Sequence, residues 1–178
     1  IAIGQSSNAT GRGGVALGND TAATWNAFAA GWNAKATGKG AIALGQATAN
    51  SESAIALGTS TSATANSATA IGTSAAASES SAVAIGNAAN ASKSDAIAFG
   101  TSAAASESSA IAIGKSTQAK SGKSIAVGEG AVADGTATIA IGAGNNATGW
   151  GATAVGKNVQ VTKERSTGIG WDLTVDQS

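Results

Sequence analysis

The sequence predicts an all-β fold: a parallel β-roll, or solenoid, of 13–14-residue coils with two short strands per coil. Three observations carry that expectation. Glycine closes a short apolar segment thirteen times, at Gly4, Gly18, Gly31, Gly45, Gly58, Gly72, Gly86, Gly100, Gly114, Gly128, Gly142, Gly156 and Gly170. Ten of the twelve intervals between these glycines are 14 residues and the other two are 13. Before ten of these glycines stands a triplet of the form apolar–Ala–apolar, such as Ile42-Ala43-Leu44 or Ile111-Ala112-Ile113, and before the other three Thr takes the first place. Period-two alternation of mostly β-branched residues is the signature of a strand.

The first strand of each coil is this triplet. Its two branched side chains share one face, and the central alanine takes the other. The central slot is Ala in twelve of thirteen copies, with Gly168 the exception. A solvent-facing slot would drift towards polar residues, so the alanine face is expected to be buried against something very close. The second strand follows the glycine. Small residues recur three and five positions beyond it, as at Ala75 and Ala77 or Ala103 and Ala105. The slots two, four and six beyond are mostly polar, so this strand reads as buried on one face and wet on the other. The thirteen glycines are the expected turn residues, since a sharp turn needs backbone angles that glycine adopts freely. Of the two short coils, the one of Gly45 loses a residue just after the glycine, and the one of Gly18 loses it later, before Phe28.

Composition supports a repeat and excludes most chemistry. Alanine contributes 45 of 178 residues and glycine 25. Ile, Val, Leu and Phe together number 27, too few for an ordinary globular core. Ten cations balance ten anions. The absence of Cys and His removes thiolate chemistry, disulfides and the commonest metal ligand and general base. Gly122-Lys123-Ser124 imitates the end of a phosphate-binding loop but lacks the glycine five residues upstream. Glu52, Glu79 and Glu107 read as solubilising turn residues. No enzyme, catalytic residue, metal or cofactor is expected.

A single thin coil buries little. The central alanines are the natural candidates for a dry seam between parallel copies, namely Ala2, Ala16, Ala43, Ala56, Ala70, Ala84, Ala98, Ala112, Ala126, Ala140 and Ala154. The expectation is an obligate homo-oligomer, with a trimer as the natural closed form; the repeat alone does not count the copies.

The motif Ser-x-Val/Ile-Ala-Ile/Val-Gly-x-x-Ala-x-Ala, represented by Ser81 to Ala91, resembles the YadA-like head repeat of trimeric autotransporter adhesins. The resemblance runs from Ile1 to about Val175. It implies a left-handed β-roll in a homotrimer, exposed at the bacterial cell surface of the outer membrane. It also implies adhesion to host extracellular-matrix protein of the collagen, fibronectin or laminin class. The chain then reads as one repeat domain over 1–178, without signal peptide, neck, stalk or membrane anchor, so that any membrane contact runs through an anchor domain outside it. Thr69, Thr153, Thr167 and Gly168 depart from the motif.

Within that reading, self-association with the adhesins of other cells and a non-binding spacer role are the competing functions. Nucleic acid is not an expected partner. Ice binding is disfavoured, because no regular Thr-x-Thr ladder runs along the repeat. The four tryptophans are the unusual residues of the surface, and Trp25, Phe28, Trp32, Lys35 and Lys39 form the candidate ligand patch.

Overall fold

The computed structural model describes residues 1–176. By contact density the chain divides into two compact units, Ile1–Ala88 and Ala89–Ser178. Both are β-solenoids built by the same rule. In the first unit, front strands such as Val15–Leu17, Phe28–Ala30, Ile42–Leu44 and Ile55–Leu57 pair in parallel, each with the next. Back strands such as Lys35–Ala36, Ala47–Ala49 and Thr61–Ala63 form a second parallel sheet. In the second unit, Ile97–Phe99, Ile111–Ile113, Ile125–Val127 and Ile139–Ile141 continue the front pattern, and Ala104–Ala105, Gln118–Ala119 and Val132–Ala133 the back one.

Register follows the 14-residue period. Thr69 faces Val83, Ala70 faces Ala84 and Ile71 faces Ile85. The 13-residue coils are absorbed where the sequence places the missing residue. After Gly45 the back strand starts early, and Ala49 still pairs Ala36 and Ala63. In the coil of Gly18, Ala23 keeps its pairing with Ala36, and Val15 pairs Phe28 thirteen residues on. That residue is therefore lost between Ala23 and Phe28.

The core consists of four inward columns, two from each sheet. In the coil of Gly72 they are Ala68, Ala70, Ala75 and Ala77; in that of Gly100 they are Ala96, Ala98, Ala103 and Ala105, all fully buried. Two strands joined by tight turns lie so close that little more than a methyl group fits between them. This geometry corrects the expected seam. Ala16, Ala43, Ala56, Ala70 and Ala84 in the first unit, and Ala98, Ala112, Ala126, Ala140 and Ala154 in the second, are fully buried inside the single chain. They face their own back sheet and are not free to meet a sister copy. Ala2 differs in being exposed, in the first coil. A column four residues before each glycine (Ala41, Ala54, Ala68, Ala96, Ala110) joins the core and has no counterpart in the sequence-based reading.

Where the inward residue is polar, it bonds to the coil. Thr117 donates its hydroxyl to the Gly128 carbonyl at 2.6 Å, and Thr61 donates to that of Gly72. Asn145 donates to the carbonyls of Ile141 (2.6 Å) and Gly156 (3.1 Å) and accepts from the Val159 amide (2.9 Å). These bonds remove the penalty of a buried unpaired group.

Both turns of a coil use left-handed backbone. All thirteen repeat glycines have positive φ, for example 127° at Gly72 and 134° at Gly100. A Cβ on Gly72 would stand 2.5 Å from the Gly86 carbonyl oxygen, and one on Gly100 2.5 Å from that of Gly114. The strand-ending glycine is thus required by close stacking as well as by φ. Two positions later a second left-handed residue follows, as at Ser60 (φ 55°), Ser74 (58°) and Ser102 (56°). This slot belongs to the turn, not to the outer face of the back strand as the alternation suggested. The opposite turn has its own left-handed residue, such as Ser53 (58°), Ser67 (57°) and Ser109 (57°). Small polar residues tolerate such angles better than branched ones.

Candidate functional surface

With alanine inside, the large apolar residues face outwards. The front sheet of the first unit presents Val15, Ile42, Ile55 and Val83 in one column and Leu17, Leu44, Leu57, Ile71 and Ile85 in the next, all half-buried by mutual contact. In the second unit Ile97, Ile111, Ile125 and Ile139 are half-buried, while Phe99, Ile113 and Ile141 are 51%, 39% and 42% exposed. Each unit therefore carries an apolar ribbon two side chains wide. A parallel sheet with one bare apolar face is unusual, since such sheets are normally covered on both sides.

The outer face of the back sheet is mostly polar, with Asn8, Lys35, Thr48 and Ser62 in the first unit and Asn90, Gln118, Asn146 and Gln160 in the second, interspersed with Ala22, Ala76, Ala104 and Val132. The turn edges carry the charge. Lys39 pairs with Glu52 at 3.6 Å, Lys115 with Glu129 at 3.2 Å and Lys120 with Asp134 at 3.8 Å, each between adjacent coils and each well exposed. Exposed pairs of this kind contribute about 0–1 kcal/mol.

The candidate patch of the sequence does not hold together as one surface. Phe28 lies on the front sheet with the ribbon, and Lys35 on the outer face of the back sheet. Trp32 directly follows Gly31 in the front-to-back turn, whereas Trp25 and Lys39 stand in the opposite, back-to-front turn. The fold keeps Trp25 and Lys39 on one edge and distributes the other three around the coil. In the second unit the tryptophans are partnered. The Arg165 guanidinium stacks 4.6 Å from the centre of the Trp150 ring, and the Lys157 ammonium 4.9 Å from that of Trp171. The first contact joins adjacent turns, and the second joins directly paired residues of the front strands Thr153–Lys157 and Thr167–Trp171.

The family model for the YadA head domain repeat matches residues 1–21, 26–48, 49–75, 63–89, 77–103, 91–117, 105–131, 119–145 and 133–158. The chain belongs to the YadA head family. YadA heads are adhesin-type domains of trimeric autotransporters, exposed at the bacterial surface, and adhesion rather than catalysis is the activity of the family. No curated protein matches the chain in a sequence comparison. Two stretches of this YadA head escape the family repeat. One is residues 22–25, which includes Trp25; the other begins after Asn158 and holds the five-residue front strand Thr167–Trp171.

Proposed function

We propose that the chain assembles as a homotrimer and binds host extracellular-matrix protein, of the collagen, fibronectin or laminin class, at the bacterial surface. Membership of the YadA head family over most of the chain carries this reading. The seam of the trimer is the Ile/Val/Leu ribbon of the front sheet, since the alanine column lies inside each chain. Burying that ribbon against sister copies stabilises the assembly by roughly 25 cal/mol for each Å² of apolar surface removed from water. The polar back sheets and turn edges then remain on the outside in three copies. Weak contacts to a fibrous ligand repeat, and avidity multiplies them. The balanced charge leaves no long-range steering, so binding depends on contact chemistry.

The test is light scattering of the intact chain, followed by surface plasmon resonance over immobilised collagen, fibronectin and laminin. A trimer retained by at least one of them supports the reading. A trimer that binds none, yet clusters beads carrying only itself, replaces matrix adhesion with self-association. A stable monomer removes the seam and the avidity together.

A further inference from the structure

The back-to-front turns of the first unit hydrogen-bond directly to one another, and the bonds define a common apex position. The Asn26 amide donates to the Arg12 carbonyl (2.9 Å), the Gly40 amide to the Trp25 carbonyl (2.8 Å) and the Ser53 amide to the Lys39 carbonyl (2.9 Å). Arg12, Trp25, Lys39 and Glu52 are therefore successive apex residues on one edge, about 4.8 Å apart along the stack. All four side chains are exposed.

Trp25 is 58% exposed. The comparison with Trp150 shows what is missing. Trp150 occupies the same apex position, and the next residue of left-handed backbone in the following coil is Arg165, which covers its ring at 4.6 Å. For Trp25 the corresponding residue is Gly40, and in the preceding coil it is Gly13. With glycine above and below, no side chain at those positions lies over the indole. Among the described residues, cations stack on Trp150 and Trp171 and not on Trp25. Trp25 also falls in residues 22–25, between two matches of the family model.

We infer that the column Arg12–Trp25–Lys39 is a binding site for an acidic polysaccharide. The electron-rich face of the indole takes the C–H face of a sugar ring. Arg12 and Lys39, one coil to either side, are placed to pair with carboxylate or sulfate groups on neighbouring sugars. The Lys39–Glu52 pair is open to solvent and yields readily to a ligand anion. A single-stranded nucleic acid suits the column less well. Such ligands need several aromatic platforms and a continuous basic groove, whereas here one ring stands between two cations and Glu52 follows. This inference rests on the adhesion reading and names a ligand chemistry within it.

The probes are a heparin oligosaccharide, hyaluronan, neutral dextran and a single-stranded oligonucleotide, followed by tryptophan fluorescence and calorimetry on the intact chain at low and physiological salt. Heparin and hyaluronan are expected to bind and dextran not. Trp25→Leu should weaken binding about tenfold, equivalent to about 1.4 kcal/mol. Arg12→Gln and Lys39→Gln should each weaken it severalfold and flatten its salt dependence. Trp32→Leu, at the opposite turn, should leave it unchanged, and circular dichroism checks that each variant keeps its fold. Equal binding by Trp25→Leu, tighter binding of the oligonucleotide, or no binding of either acidic polysaccharide overturns the inference. If the chain still holds matrix protein in that last case, the adhesion reading survives alone. If polysaccharide binds through Trp25 and no matrix protein is retained, the site stands and the protein-ligand reading falls.

Discussion

Gly168 is the one central slot without alanine, and the structure turns that exception into a test of the core. It pairs with Ala154 in the front sheet, and its backbone has no left-handed angle that would exclude a side chain. A Cβ there would stand 2.9 Å from Val159 Cγ1, 2.9 Å from Val161 Cγ2 and 3.2 Å from Val175 Cγ2. Val159 and Val161 are the largest fully buried side chains among the described residues, in slots where other coils place alanine or, at the first, also Thr or Asn. The missing methyl of Gly168 thus makes room for them. Valine is stiff at χ1, so its methyls cannot swing away cheaply. Gly168→Ala should incur an overpacking penalty of about 1–3 kcal/mol. Against this stands a gain of about 0.4–1 kcal/mol from the stiffer unfolded chain. The net loss is about 0.5–2 kcal/mol. In the background Val159→Ala/Val161→Ala the two shortest contacts are gone and only Val175 Cγ2 at 3.2 Å remains, so the same substitution should be less costly than in the natural background and at best stabilise by about 0.4–1 kcal/mol. The cycle is read by thermal melts, in which a kcal/mol moves Tm by about 2–4 °C at this chain length, and by hydrogen exchange at Ile169. A substitution of the same sign and size in both backgrounds refutes the volume compensation.

Three further outcomes follow from the same geometry. Ile113→Lys, on the outward ribbon, should dissolve the oligomer in light scattering while strand content in circular dichroism persists; Ala84→Lys, in the core, should abolish the fold itself, because a lysine there has neither space nor a partner. Ala137 holds a φ of 57°, so Ala137→Gly should raise stability by about 0.5–1 kcal/mol in a denaturant titration, left-handed backbone costing an alanine about 1–2 kcal/mol and glycine returning about half of that in chain entropy. Asn145→Ala should cost about 1–3 kcal/mol by leaving the buried Val159 amide unpaired, seen as faster exchange of that amide.

The coil was legible because its period is a covalent fact. Thirteen glycines at a fixed spacing place the turns, and the two short coils reveal their missing residues by how the small pairs slide, as at Ala47 and Ala49. The direction in which the strands face was not legible in the same way. Alternation states that Ile111 and Ile113 share a face opposite Ala112; it does not state which face is inside. Ordinary hydrophobic reasoning buries the larger side chain, and here sterics overrule it. The signal was present in the four columns that hold alanine together, and in the pairing of Gly168 with two valines. The ligand patch failed for a related reason. Trp25 and Trp32 are seven residues apart in sequence, half a coil, which is the separation that sends two side chains to opposite turns.

An alanine core also has an energetic consequence. Each inward methyl contributes about 0.8 kcal/mol on burial, whereas a fully buried Ile, Leu or Val contributes about 1.5–3 kcal/mol. The chain has placed its richest apolar surface where its own fold cannot cover it. Parallel ladders and paired left-handed turns specify the shape of each coil, and alanine lets the two sheets approach. What remains unspent is the front ribbon, from Val15 and Leu17 to Ile85 in one unit and from Ile97 and Phe99 to Ile141 in the other. In the proposed trimer, stability and assembly are coupled through this one face, and a substitution there weakens both. The exposed side chains of the turn apices, such as Arg12, Trp25, Lys39 and Glu52, are where recognition can vary, because the turns constrain their left-handed and glycine positions and leave the apex side chains in solvent.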